Sequence, residues 1–269
     1  MRGEVSRRAV GGGDINDAFL VELEDGGRAF LKTRPDAASG EYAAEAAALC
    51  WLAEPGALPV PRVLEVADDF LALEWVEPGT LDAAGQEALG RGLALVHLAG
   101  AERFGATPHD GPTRIGPLLL PNDPAPDWPA FYAERRLRPL LARAGLSDGG
   151  RRAVEHVCER IGALAGPDEP PARLHGDLWS GNVHAGADGR PWLIDPAAYG
   201  GHREVDLAML RLFGAPSPRT IAAYEEVAPL ADGHAQRVEL WQLFPLLVHA
   251  ALFGGSYAAS VERAASRYA

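Results

Sequence analysis

Apolar and polar residues alternate through much of the first 77 positions. Ala18-Phe19-Leu20-Val21-Glu22-Leu23 and Ala29-Phe30-Leu31-Lys32 flank Glu24-Asp25-Gly26-Gly27, which predicts two strands joined as a β-hairpin. From Ser39 to Ala53 the period lengthens: Tyr42, Ala46, Leu49 and Ala53 fall at helical spacing, with Glu41 in the first turn. Glu45 comes three residues after Tyr42 and four before Leu49, so a carboxylate sits on the apolar face of that helix. Past Pro59 and Pro61, residues 62–66 and 70–76 read as two more strands separated by Asp68-Asp69, and Glu77-Pro78-Gly79 then breaks the chain.

Beyond this break the pattern turns helical. Leu89, Leu93 and Val96 form one stripe within residues 81–99, and residues 128–144 and 148–165 predict two further helices. Between them, residues 104–127 are rich in Pro and Gly and read as a long ordered loop. Short strands near Val183 and over Trp192-Leu193-Ile194 are joined by Asp188-Gly189, another hairpin turn. Residues 203–268 read as three helices punctuated by Pro216, Pro218, Pro229 and Gly233. No internal repeat interrupts this order. The expected class is α+β in two lobes: residues 1–77 as a small antiparallel-sheet lobe with one helix, and residues 78–269 as a larger, mainly helical lobe.

Composition narrows the partners. The 269 residues carry 25 basic and 37 acidic side chains, a formal charge of −12, with a mean hydropathy of −0.08. Such an acidic chain repels phosphate backbones and anionic lipid, so neither nucleic acid nor membrane is an expected partner. The start has basic residues but no apolar core of a signal peptide, and the apolar stretch Leu243–Phe253 is short and contains Pro245 and His249. Cys50 and Cys158 make no metal or redox spacing and are expected as buried free thiols, consistent with a cytoplasmic location. Of the 25 basic residues, only Lys32 is a lysine. Either the chain reflects a lysine-poor genome, or position 32 requires a compact point charge rather than a planar guanidinium.

The densest chemical signal is His175-Gly176-Asp177-Leu178-Trp179-Ser180-Gly181-Asn182, followed by Ile194-Asp195-Pro196. Phosphoryl transfer needs a carboxylate to orient or deprotonate the accepting hydroxyl, oxygen ligands for Mg²⁺ and a cation on the nucleotide phosphates. Asp177, Asn182 five residues later, and Asp195 beyond an intervening hairpin stand in the order that kinases use for the base and two metal ligands. Lys32, ending a strand of the small lobe, is placed to contact the α- and β-phosphates, with Glu45 as its ion-pair partner and Glu41 as a second candidate. The stretch Val10-Gly11-Gly12-Gly13-Asp14-Ile15-Asn16 would bend over the phosphates of ATP, although three glycines also make an ordinary turn. Glu74, Trp75 and Val76 end a strand at the lobe junction, where the main chain of kinases binds adenine. Trp179 could stack on an acceptor or anchor the loop in the core; His202 could approach the same cleft or be structural. Asp206, opening a helix, is expected to brace the loop. A nucleotide-binding scaffold without turnover would be expected to lack Lys32, Asp177, Asn182 or Asp195, and all four are present.

With those residues in view, the chain resembles the fructosamine kinase, or ketosamine-3-kinase, family, relatives of aminoglycoside and choline kinases within the protein-kinase-like fold. The resemblance rests on His175 to Asn182, on Tyr199-Gly200-Gly201-His202-Arg203-Glu204-Val205-Asp206-Leu207-Ala208, and on Asn122 with Trp128, Phe131, Tyr132 and Arg136-Leu137. It implies ATP- and Mg²⁺-dependent phosphorylation of the sugar O-3 of a ketosamine, free or protein-bound, whose unstable 3-phosphate then releases the amine. By this resemblance Asp177 is the base, Asn182 and Asp195 hold Mg²⁺, and Lys32 and Glu45 clamp the phosphates. The alternative is a phosphotransferase of the aminoglycoside or choline type. Some members carry a cysteine in the glycine-rich loop that links two chains; residues 10–18 contain none, so no such dimer is implied.

Overall fold

The computed structural model describes residues 1–11, 16–214 and 216–269. Five antiparallel strands form the first sheet: β1 (Glu4–Ala9), β2 (Asp17–Leu23), β3 (Arg28–Thr33), β4 (Val63–Val66) and β5 (Phe70–Glu74), in the order β1-β2-β3-β5-β4. The sequence pattern predicts the inner strands but not β1, whose Val5-Ser6-Arg7-Arg8 is exposed on both faces and so shows no alternation. Charged side chains suit that edge position. Helix α1 (Glu41–Ala53) lays Tyr42 and Leu49 on Leu71 and Leu73 of β5. Cys50 falls in the solvent-facing row of α1 with Ala43 and Glu54, so it is exposed rather than buried as expected. Cys158 is buried, and burial pushes its thiol up to about 12.

The segment after β5 is stitched to the second half of the chain. Gly79 donates its N–H to Ala185 at 2.7 Å, Ala187 donates to Glu77 at 2.7 Å, and a Cβ on Gly79 would stand 2.4 Å from the Gly186 carbonyl oxygen. From there α2 (Ala83–Leu98) crosses α6 (Pro218–Val227) at Gly90, where a Cβ would meet the Thr220 carbonyl oxygen at 2.1 Å. The expected loop over 104–127 contains a small hairpin, β6 (Thr113–Ile115) and β7 (Leu118–Leu120). Strands β8 (Ala172–Leu174) and β11 (Tyr199–Gly201) pair with each other, as do β9 (Val183–Ala185) and β10 (Pro191–Leu193).

The expected helix over 128–144 is broken into α3 (Trp128–Phe131), a wider π turn over Tyr132–Leu137 and a short tight turn over Arg138–Leu140. Pro139 cannot donate to the Arg135 carbonyl; the Arg136 guanidinium donates to it instead, at 3.0 Å. Helix α4 (Asp148–Leu164) follows as predicted. The last third holds α5 (Glu204–Leu212), α6, α7 (His234–Phe253) and α8 (Ser256–Ser266), one helix more than expected. Gly254 and Gly255, at φ +64° and +63°, make the additional break. Pro245 lies inside α7 and leaves the Trp241 carbonyl without its helical donor. The Tyr132 hydroxyl donates to Trp241 at 3.1 Å or Leu240 at 3.0 Å, and accepts the Phe244 N–H at 3.2 Å. No helix among the described residues is long and apolar enough to cross a membrane.

Candidate active site

The loop that carries Asp177 leaves β8 through a turn only glycine accommodates. Gly176 has φ +82°, and a Cβ there would stand 2.1 Å from the Ala197 carbonyl oxygen. Asp206, in the first turn of α5 and 1% exposed, accepts the N–H groups of His175 at 2.7 Å and Gly176 at 3.0 Å. It is itself held by His97 Nε2 at 3.2 Å, while His97 Nδ1 meets the Tyr224 hydroxyl at 2.8 Å. Asp206 thus braces the loop through its backbone. The buried His175 ring donates from Nε2 to the Ile194 carbonyl at 2.9 Å, tying this loop to the residue before Asp195.

Three elements converge here. Asn182 donates its amide to the Asp177 carbonyl at 2.8 Å and to Asp177 Oδ2 at 3.2 Å. Burial, and next the negative charge of Asp195, push the Asp177 carboxyl up to about 7. Lys32 Nζ, reaching in from β3, donates to both oxygens of Glu45 at 3.0 Å and to Asp195 Oδ1 at 2.8 Å. Burial works against the Lys32 charge, but the two carboxylates outweigh it and hold the ammonium above its ordinary value. Asp195 adopts φ +53°, an uncommon conformation for a residue with a side chain, and so turns its carboxylate back toward Lys32. Glu41 pairs with Arg34 at 2.9 Å, not with Lys32.

These groups line a cleft of about 520 Å³ with Asn16, whose Oδ1 accepts from the Tyr42 hydroxyl at 3.0 Å. Gly12, Gly13, Asp14 and Ile15 lie outside the described residues, and Gly11 is exposed. Glu74 and Val76 do not line the cleft: Glu74 donates its N–H to Arg62 at 2.8 Å, and the Val76 carbonyl accepts from His184 at 3.2 Å. Trp179 does line it, at 39% exposure, which excludes the core-anchor reading of that ring. His202 is not brought to the cleft. It follows β11, is 3% exposed, and is stacked on Trp241 with ring centres 5.2 Å apart in the large core.

The site also contains residues that sequence reasoning did not select: Phe213, His249, Phe253 and Tyr257. The last three recur every four residues, a visible spacing that an apolar core stripe would also produce.

The donor set suits a hard divalent cation. Asn182 spends its amide nitrogen on Asp177 and keeps Oδ1 as an acceptor, while the Asp195 side chain is 38% exposed in the cleft, so both offer oxygen. A tighter group of possible ligands, Glu169, His202 and Glu204, is engaged otherwise: Arg203 pairs with Glu169 and Arg237 with Glu204, at 2.6 Å each.

The sequence model of the fructosamine kinase family matches residues 3–268. A probable ketoamine kinase of Thermus thermophilus is 38% identical over 256 residues, covering 95% of this chain and 91% of its own. A crystal structure from Thermobifida fusca, assigned as a fructosamine-3-kinase, superposes with a TM-score of 0.90 at 46% identity, covering 98% of this chain and 94% of that one. A choline kinase of Streptococcus pneumoniae, 16% identical, shares the fold alone, with a TM-score of 0.65 over 99% of this chain and 93% of its own. That likeness makes the α+β architecture protein-kinase-like, and the match along nearly the full length makes this chain a member of the fructosamine kinase family.

Proposed function

We propose that this chain transfers the γ-phosphoryl group of ATP to the O-3 hydroxyl of a ketosamine, the adduct formed when a reducing sugar glycates an amine. One observation carries the reading: a buried lysine ammonium, a candidate base and two oxygen ligands from separate segments face a single cleft. Family membership supports the ketosamine class of acceptor.

In this reading Lys32, fixed by Glu45, contacts the α- and β-phosphates, and Asn16 lies on the same cleft. Asn182 and Asp195 would hold Mg²⁺, which when bound neutralises charge developing on the phosphates. Asp177 accepts the proton of the attacking hydroxyl. Burial raises its carboxyl and so makes it a better proton acceptor than an exposed aspartate. Asn182 bonds Asp177 Oδ2 and thereby fixes the direction from which the hydroxyl arrives. Residues 1–77 would act as the nucleotide lobe and residues 78–269 as the lobe carrying the acceptor. The product 3-phosphate is unstable and releases the free amine.

Phosphate transfer should be measured on ribulose-lysine, fructose-lysine, kanamycin and choline with ATP and Mg²⁺. Turnover of a ketosamine with kcat/KM well above that for kanamycin or choline is expected. Turnover confined to kanamycin or choline would overturn the assignment.

A further inference from the structure

Beside Asp177 the cleft is walled by five rings. Trp179 meets the edge of Phe213 with ring centres 6.4 Å apart; Phe213 lies 4.6 Å from His249; His249 lies 5.6 Å from Phe253 and 5.1 Å from Tyr257. Phe253 is 54% exposed, unusual for such a ring unless something covers it. The wall is joined to the catalytic loop, since the Ser180 hydroxyl donates to the Phe213 carbonyl at 2.7 Å.

Besides the Trp179 indole and the Tyr257 hydroxyl, His249 gives this wall a polar group whose tautomer the backbone fixes. Its Nδ1 lies 2.8 Å from the Pro245 carbonyl, which can only accept, so Nδ1 carries the proton. Burial holds the ring below its ordinary pKa, and the neutral ring leaves Nε2 as an acceptor with no partner among the described residues. None of the five side chains offers a carboxylate. Arg114, which also lines the cleft, belongs to the β6–β7 hairpin and approaches Glu41 at 3.9 Å.

If the phosphates lie at Lys32 and the accepting hydroxyl at Asp177, the rest of the acceptor extends over a surface continuous with Asp177, and Trp179 begins that surface. We propose that this aromatic wall is the subsite for the amine substituent of the acceptor, with His249 Nε2 accepting the amine N–H, and that it selects apolar or aromatic amines. A cationic amine gains from the ring faces, and its apolar substituent covers Phe253 and Tyr257. A second charged group on that substituent meets no counter-charge on the five wall side chains. This inference rests on the acceptor class proposed above.

The test uses the ketosamines of benzylamine and methylamine, built on whichever sugar supports turnover in the preceding panel. The wild-type KM for the benzyl compound should be at least about tenfold lower, and Phe253→Ala should bring the ratio to within about threefold. His249→Phe keeps a ring but removes the acceptor, so the KM for both compounds should rise at least about fivefold, and His249→Gln should recover part of that loss. Equal wild-type KM values, a ratio that survives Phe253→Ala, or a parallel rise in the KM for ATP would overturn the subsite. Absence of any ketosamine turnover in the preceding panel would instead overturn the acceptor class, and this subsite with it.

Discussion

At the scale of single residues, the cleft depends on charges that are buried but paired. Removing the proposed base tests one of them. Asp177→Ala should lower kcat by about 10²–10⁴ while the KM for ATP changes little, because Lys32, Asn182 and Asp195 keep their places. Steady-state kinetics with ATP and acceptor varied separately would check it, and wild-type turnover would refute the role. Lys32 is tested by its most similar replacement. A guanidinium cannot place one compact charge among both Glu45 oxygens and Asp195. Lys32→Arg should therefore reduce kcat/KM for ATP by at least about tenfold, or ~1.4 kcal/mol, with a melting temperature near wild type. These residues were legible in the sequence because motif spacing ties Asp177, Asn182 and Asp195 together, and because a lone lysine and a glutamate on an apolar face each call for a partner. His249 and Phe253 were not, since their four-residue spacing also describes a packed helix face. His202 stays open in the sequence for a related reason: a histidine after two glycines carries no mark of which way the chain turns it.

At the scale of elements, the close approach of backbones fixes how α2 crosses α6. Helices α2 and α6 meet where Gly90 faces the Thr220 carbonyl and the Tyr224 N–H, which a Cβ would meet at 2.1 and 2.9 Å. Both are backbone atoms and cannot swing aside. Gly90→Ala should then cost about 1–3 kcal/mol or more, read as a lowered melting temperature. It should also weaken the loop around Asp177, because Tyr224 on α6 holds His97, which in turn holds Asp206. The inner strands, α1, α2 and α4 follow directly from periodicity. What periodicity misses has a physical cause in each case. Strand β1 is exposed on both faces, β8 and β11 are three residues long, and the α7–α8 break rests on Gly254-Gly255 rather than on proline. In the irregular stretch after α3, Arg136 and Tyr132 supply donors that Pro139 and, in α7, Pro245 cannot.

For the molecule as a whole, one contribution to acid sensitivity comes from a histidine buried in its neutral form. His202 lies among Glu169, Glu204, Arg203 and Arg237, beneath Trp128 and Trp241, and burial holds it below its ordinary value of 6.5. The unfolded chain therefore binds this proton more readily than the native one. The resulting stability is present above about pH 6.5 and is lost as pH falls through the depressed native value. His202→Phe keeps a stacked ring without a titrating nitrogen. The difference in melting temperature, wild type minus variant, should fall as pH is lowered from about 7.5 to about 5. A difference independent of pH would show that His202 does not titrate between the two states.

The lone lysine has a consequence for the chemistry of the protein's own surface. Unprotonated primary amines attack the carbonyl carbon of reducing sugars, and this chain presents no lysine amine to solvent: Lys32 is 8% exposed and doubly ion-paired. Its ammonium is held protonated by the same carboxylates that position it. An enzyme proposed to reverse glycation is thus built almost without glycatable side chains. After prolonged incubation with ribose, intact mass and peptide mapping should show early sugar adducts at the amino terminus and an unmodified Lys32, whereas Glu45→Gln should increase adduct formation at Lys32.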